Sequence, residues 1–292
     1  MKVIIGIPAF NEEKNIGPIV AKLKEKYDHV LVCDDGSSDM TSMIASSMGA
    51  HVVKHEKNQG YGSAIKTIFN ESKKIGSDVL VTFDADGQHQ ISEIDSMLEP
   101  ISGNEADIVI GSRFLGQTKH LPRYRKIGIK TITGLANVTT GSKITDSQSG
   151  FRAYAKKALN EITPTESGMG ISTEILIKAS KMKLRVTEIP ITITYENNVH
   201  SKEPLSHGTS VIMSTLKHVA IERPLLYYGV TGMGFLILGL FFGAWTMQIY
   251  SEERVVMTNI ALIGIGGVIL GTILLITATI LYSIVNVVRE NR

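Results

Sequence analysis

The chain has 292 residues, a formal net charge of +2, and 43% hydrophobic residues with a mean hydropathy of +0.11, which is greasy for a soluble protein. The excess is concentrated: no Asp, Glu, Lys or Arg occurs in the 26 positions from Leu225 to Tyr250, nor in the 29 from Ile260 to Val288. Both runs exceed the roughly 20 residues that cross a bilayer core, which excludes a purely soluble protein, while the ordinary globular sequence before Pro224 excludes a channel-like bundle. The balanced charge leaves no basic footprint for nucleic acid, and Cys33, the single cysteine, cannot form an internal disulfide.

In chain order, Lys2–Ile7 reads as a buried strand, Ile16–Lys26 as a helix, His29–Cys33 as a strand, and Thr41–Met48 as a helix ended by Gly49. His51–Lys54 follows as a strand, Tyr61–Lys74 as a helix, Val79–Phe83 as a strand, Ile91–Pro100 as a helix, and Asp107–Ile110 and Ile189–Thr194 as strands. Such alternation predicts an α/β fold with a mostly parallel, Rossmann-like sheet covered on both faces. Ser210–Glu222, apolar at Val211, Ile212, Leu216, Val219 and Ala220, reads as an amphipathic helix on the membrane surface. The expected organisation is a catalytic domain over 1–208, a juxtamembrane helix over 209–223 and a two-span anchor over 224–292.

Met1 to Phe10 carries too short an apolar run for a signal peptide. Lys217, His218 and Arg223 precede the first span, Arg289 and Arg292 follow the second, and the connector holds Arg254 against Glu252 and Glu253. Positive-inside counting therefore puts both termini and the globular domain on the cytoplasmic side. Gly232, Gly234, Gly239 and Gly243, with Gly264, Gly266, Gly267 and Gly271, are expected to let the spans approach closely.

In parallel sheets, ligands bind beyond the carboxyl ends of the strands, and the unusual residues lie there. The first strand runs into Pro8-Ala9-Phe10-Asn11-Glu12-Glu13, the second into Asp34-Asp35-Gly36-Ser37-Ser38-Asp39, and the fourth into Asp84-Ala85-Asp86-Gly87-Gln88. Two carboxylates one residue apart, helped by the neutral oxygen of Gln88, can hold Mg²⁺ or Mn²⁺ with positions left open for a diphosphate. Acceptors around Pro8, Asn11, Glu12 and Asp34 or Asp35 suit a base and ribose. Gly60 to Thr67 lacks the glycine that a P-loop needs before its lysine, and no Gly-x-Gly-x-x-Gly follows the first strand. His51 and His55 flank a strand at a spacing that does not converge on a metal.

Six motifs in order, PAFNEE (Pro8–Glu13), DDGSSD (Asp34–Asp39), NQGYGSA (Asn58–Ala64), FDADGQH (Phe83–His89), GSRF (Gly111–Phe114) and DSQSGFRAY (Asp146–Tyr154), resemble family 2 glycosyltransferases. The chain is most similar to the polyprenyl-phosphate branch, the dolichyl-phosphate mannose and glucose synthases. The resemblance implies a GT-A fold, a divalent metal, inversion at the anomeric carbon, a nucleotide-diphosphate sugar donor and a polyprenyl (dolichyl) phosphate acceptor. It places Pro8, Ala9, Phe10, Asn11 and Glu12, with Asp34, Asp35, Asp84, Ala85 and Arg113, along the nucleotide sugar. Asp84, Asp86 and Gln88 match the metal motif, and Arg123, Arg125 and Lys126 the segment that receives the lipid phosphate. Ser149, Gly150, Phe151 and Arg152, joined by Glu174, match the sugar pocket, and Asp84, Asp86, Arg113 and Arg125 are the candidate catalytic residues. The Arg, Gly and Ser-Lys that the family carries over the donor are replaced by Asn197 to Lys202, leaving Lys202 as a stand-in.

A phosphate monoester, with a second pKa near 6, is mostly dianionic at neutral pH and needs no general base. Positioning and cations on both sides of the sugar then supply the rate. The alternative, a hydroxyl acceptor of a lipid-linked or surface glycan, needs a carboxylate base, for which Glu174 is the candidate; its other reading is in a helix start capped by Ser172 or Thr173. A nucleotidyltransferase would need a Gly-rich basic N-terminal loop, which PAFNEE is not, and a plain membrane tether has no reason to gather Asp84, Asp86 and Gln88. A homo-oligomer is left open.

Overall fold

The computed structural model describes residues 1–116, 118–119, 123–194, 220 and 224–290. The chain forms two compact units, Met1–Thr215 and Leu216–Arg292. In the first, the elements are β1 (Val3–Ala9), α1 (Ile16–Lys24), β2 (His29–Asp34), α2 (Thr41–Ser47), β3 (His51–Lys54), α3 (Tyr61–Ile75), β4 (Val79–Thr82) and, after a 3-10 turn at Ile91–Glu93, α4 (Ile94–Ser102). Then come β5 (Ile108–Ser112), β6 (Thr118–Lys119), α5 (Arg123–Thr140), β7 (Arg152–Ala155), α6 (Lys156–Glu161), α7 (Ile171–Lys181), β8 (Val186–Pro190) and β9 (Ile193–Thr194).

Seven strands make one sheet in the order β3-β2-β1-β4-β7-β5-β8, and β6 pairs with β9 separately. The contacts β3-β2-β1-β4 and β5-β8 are parallel, whereas β7 runs antiparallel to both β4 and β5. β1 and β4 are apolar and almost wholly buried, because helices cover both faces. One core, around Ile5, Ile7, Val20 and Met97, lies on the α1/α4 side, and the other, around Ile4, Ile68, Phe69 and Ile175, on the α3/α7 side. The mostly parallel Rossmann-like sheet expected from the alternating pattern is what forms.

Two local expectations change. Ser149–Arg152, matched to the sugar pocket, run directly into β7, which takes up the end of DSQSGFRAY from Arg152 and whose alternation is hidden because both faces are buried. The strand expected over Ile189–Thr194 starts earlier, at Val186, and breaks after Pro190, which has no N–H for the ladder; the chain resumes as β9 beside β6.

The second unit opens with a π turn at Leu225–Gly229 and continues as α8 (Val230–Glu253) and α9 (Thr258–Glu290), with Arg254 in the left-handed region at φ 58° between them. Both helices are long and apolar enough to cross a membrane, and only 11% of each apolar window is buried. Large side chains such as Phe235, Leu238, Phe241, Ile265 and Ile269 stand exposed, which rules out two buried core helices and makes this a membrane protein. α8 and α9 meet backbone to backbone: a Cβ on Gly239 would sit 2.5 Å from the Val268 nitrogen, and one on Gly271 2.6 Å from the Leu236 nitrogen. Gly234 and Gly266, in contrast, face open space. The expected helix Ser210–Glu222 lies outside the described residues except for Ala220.

Candidate active site

The sheet order places the ends of β2, β1 and β4 side by side, so the three polar strand ends do share one edge. Because β7 is antiparallel, its beginning lies at that same edge, and Thr82 pairs with Arg152. The loop before β7 thereby meets the metal motif after β4. A Cβ on Gly150 would lie 2.5 Å from Asp84 Oδ2 and 2.7 Å from the Tyr61 hydroxyl, so a side chain here would have to displace one of them.

Asp84 receives a long hydrogen bond from the Tyr61 hydroxyl (3.3 Å) and lies 3.4 Å from His89 Nε2. Asp86 accepts from the Gln88 backbone N–H at 3.0 Å. Burial, and next the charge of Asp84, push the Asp86 carboxyl above its ordinary value. Glu12 is raised too, first by burial and then by Asp86 and Asp39, against a lowering hydrogen bond from Asn15. Among the described residues no lysine or arginine pairs with Asp84 or Asp86. Acidic groups crowded without a compensating cation fit a divalent metal. No three His, Cys, Asp or Glu side chains converge in metal-holding geometry among the described residues, so Gln88, water and diphosphate oxygens would complete the shell. A cleft of about 400 Å³ adjoins the motif, lined by Lys14, Asn15, Ile19, Phe83, His89 and Gln90.

On the other strands, Phe10 and Asn11 are exposed at the end of β1, and Asn11, at φ 57°, accepts from the Ser38 N–H at 3.0 Å. Pro8 and Ala9 are buried, and the Ala9 carbonyl accepts from Asp35 N. Arg113 grips Asp146 with Nε and Nη2 at 2.6 and 2.7 Å, and Asp146 is fully buried. Glu188 accepts from the N–H groups of Thr145 and Asp146 and so fixes the loop that carries this partner. Arg123 and Arg125 are on the first turn of α5, but their side chains lie outside the described ones; Lys126 beside them is exposed. Lys202 lies outside the described residues.

The glycosyl transferase family 2 profile matches residues 4–163. The chain belongs to that family. Among the relatives of this glycosyltransferase, the UDP-N-acetylglucosamine–dolichyl-phosphate N-acetylglucosaminyltransferase of Methanococcus voltae is 33% identical, covering 71% of this chain and 89% of that one. The dolichyl-phosphate hexose transferase of Haloferax volcanii is 31% identical, covering 76% of this chain and 95% of that one. Glucosyl-3-phosphoglycerate synthase from Mycobacterium tuberculosis, solved with Mn²⁺, uridine-diphosphate-glucose and phosphoglyceric acid, superimposes with a TM-score of 0.59 at 19% identity over 74% of this chain and 79% of that one. The last likeness is one of fold.

In this glycosyltransferase several of the side chains expected at the nucleotide sugar or its pocket are engaged by the protein itself. Both oxygens of Asp34 are bonded within its own turn, by the Ser37 N–H at 2.8 Å and by the Ser42 hydroxyl. Asp35 accepts from Gln59 N, Gly60 N and the imidazole of His55 at 2.7 to 3.0 Å. His55 therefore belongs to this turn and not to a metal. Arg152 is 1% exposed and donates to the carbonyls of Ser147, Ser149 and Ser172, so it pins the loop; with Tyr61, Ser149 and Gly150 it lines a cavity of about 10 Å³, too small for a sugar. Phe151 is core, packed edge-on against Phe83. Ser149 keeps a buried hydroxyl without a partner.

Glu174 also has a different place. α7 starts at Ile171 after Gly170 and has no side-chain cap, so Ser172 and Thr173 are inside the helix. The Glu174 carboxylate is 2% exposed and accepts from Thr165 N, the Thr165 hydroxyl, Glu166 N and Lys178 Nζ. Burial raises its pKa, but the hydrogen bonds from Lys178, Thr165 and Glu166 outweigh that and leave it below the ordinary carboxylate range. A saturated, weakly basic carboxylate is a poor general base. Tyr61, His89, Asp146 and Glu188 are the site residues that sequence reasoning passed over. Asp146 opens a quoted motif, but nothing in the sequence pairs it with Arg113, 33 positions away.

Proposed function

We propose that this glycosyltransferase moves a sugar from a nucleotide-diphosphate donor to a polyprenyl (dolichyl) phosphate with inversion at the anomeric carbon. The observation that carries the donor half is the Asp84–Asp86 pair, gathered at the carboxyl end of β4 with no ion pair to a lysine or arginine among the described residues. Asp84, Asp86 and Gln88 would hold Mg²⁺ or Mn²⁺. When bound, such an ion neutralises the negative charge of the diphosphate as a Lewis acid. Phe10 and Asn11 stand exposed just after β1, where a base and ribose can reach them.

The acceptor half is supported by the names of the dolichyl-phosphate relatives, by the two apolar helices, and by the basic start of α5. One oxygen of the phosphate dianion attacks the anomeric carbon from the face opposite the diphosphate, a carbon–oxygen bond forms, and the nucleoside diphosphate leaves with the electron pair of the bond that breaks. No proton has to be removed from the nucleophile, which agrees with the structural engagement of Glu174. Arg123, Arg125 and Lys126 reduce the repulsion between the two anions, and Arg113 is held flat by its paired contact with Asp146. The bases flanking the two spans support a cytoplasmic catalytic domain with both termini on the same side.

Purified full-length enzyme given a panel of nucleotide sugars, Mn²⁺ and either polyprenyl phosphate or free polyprenol should form product only with the phosphate. Arg125→Ala should lower that rate roughly 10- to 100-fold, the effect of losing a charge-assisted contact of about 1.5–3 kcal/mol. Product from polyprenol alone, with Arg125→Ala unimpaired, would assign a hydroxyl acceptor.

A further inference from the structure

We infer that Tyr61 is a positioning residue for the reaction, acting through Asp84; this rests on reading Asp84 as a carboxylate of the donor's metal site. The distances set Asp84 apart from the other acidic groups of the edge. Asp35 is held by donors at 2.7 to 3.0 Å, whereas Asp84 meets the Tyr61 hydroxyl at 3.3 Å and the His89 ring at 3.4 Å. Contacts at the long end of the hydrogen-bond range steer an oxygen without using up its charge. Asp84 is thus oriented and still able to hold a cation, the arrangement expected of a ligand with outer-shell support.

Tyr61 is itself held from two sides. On one, the Asp35 carboxylate accepts from the N–H of Gly60, the residue before it. On the other, the stretch Glu166–Gly168 closes over the start of α3: a Cβ on Gly60 would lie 2.6 Å from the Ser167 carbonyl, and one on Gly62 would lie 2.5 Å from that of Glu166. The Ser63 N–H donates to the Ser167 carbonyl at 3.2 Å. Glu174 secures this stretch through Thr165 N and Glu166 N. These two carboxylates therefore fix the first turn of α3, and this turn aims a hydroxyl at Asp84. Gly150 closes the remaining side, leaving no room for a side chain between Tyr61 and Asp84.

A role confined to packing would survive loss of the hydroxyl, because Tyr61→Phe keeps the ring. The test titrates Mn²⁺ against the detergent-solubilised full chain, reading free ion by paramagnetic resonance, for wild type, Tyr61→Phe, Gly150→Ala and Asp84→Asn. Tyr61→Phe should melt within a few degrees of wild type yet bind Mn²⁺ about 10-fold more weakly, the low end of what loss of an outer-shell partner causes. In turnover, the Mn²⁺ requirement should rise more than the donor KM. Gly150→Ala should weaken Mn²⁺ in the same direction by prying the pair apart, and it serves if Tyr61→Phe does not fold. If Asp84→Asn weakens Mn²⁺ but Tyr61→Phe, or a folded Gly150→Ala in its place, binds like wild type, the inference is wrong and the reading of Asp84 stands. If Asp84→Asn binds Mn²⁺ as tightly as wild type, the reading of the site fails, and the inference with it.

Discussion

The turns after β2 and β4 look alike in sequence, each an acidic pair following an apolar strand, and the fold uses them in opposite ways. Asp34 and Asp35 are 0% and 3% exposed and surrounded by short hydrogen bonds that hold the Ser37–Ser42 turn and the approach to α3. Asp84 receives longer contacts and Asp86 few, and the Asp86 carboxyl is raised by burial and by its neighbour's charge. A carboxylate whose oxygens are saturated by the protein is part of the scaffold. One left short of donors is where a cation or substrate is missing from the count, and donor number, not acidity of the motif, tells the two apart.

The sharpest way to break that contrast is Asp86→Ala. Transfer should fall by about 10³-fold or more, equivalent to roughly 4 kcal/mol of barrier, while the melting temperature stays level, since the residue removed is an electrostatic burden on the unliganded fold. Transfer that persists in this variant with chelator present would end the metal reading. Asp35→Asn should show the reverse ranking. It leaves a donor of His55, Gln59 or Gly60 unsatisfied, at a cost of about 1–3 kcal/mol, visible in denaturant titration before any change in donor affinity.

The smallest effect is expected for Glu174→Gln, about 1 kcal/mol at neutral pH. Because the Glu174 carboxyl is depressed in the folded state, it contributes stability above its unfolded value, about 4.3, and this is lost as pH falls through the folded value. The gap between wild type and variant should therefore narrow in acid. A gap that widens as pH falls would mean that Glu174 is held protonated, as a proton-transferring group would be.

What the sequence made legible was local. Runs such as Lys2–Ile7 and Val79–Phe83 announce buried strands, and strand ends in a parallel sheet must share an edge, so the sequence already places Asp84 and Asp86 at that edge. The uncharged spans needed only counting. Pairings over distance stayed hidden: Arg113 with Asp146, Glu188 with the Thr145–Asp146 backbone, and Glu174 with Thr165 and Glu166 each depend on how the chain returns to the sheet. Arg152 shows the hazard most clearly, since a cation in a family motif invites a role toward an anionic ligand, yet its guanidinium ends on three backbone carbonyls. The glycines of α8 and α9 divide for a similar reason. Composition marks all of them as small, and only the helix–helix contact separates Gly239 from Gly234.

The place of β7 bears on how such a chain reaches its fold. β4, α4 and β5 follow one another and would by themselves make an ordinary right-handed crossover with the two strands adjacent. In the finished sheet they are separated by a strand that arrives later, with Val79 opposite Ala155 and Ile108 opposite Tyr154. A nascent chain must therefore keep a slot open in the middle of its sheet, with two apolar edges unpaired, until some forty residues after β5 have been made. Long-range closures of this kind slow folding and prolong exposure to aggregation. The loop that brings Gly150 to Asp84 is thus fixed only when β7 enters that slot, so the closing of the sheet's middle and the meeting of Gly150 with Asp84 are one event.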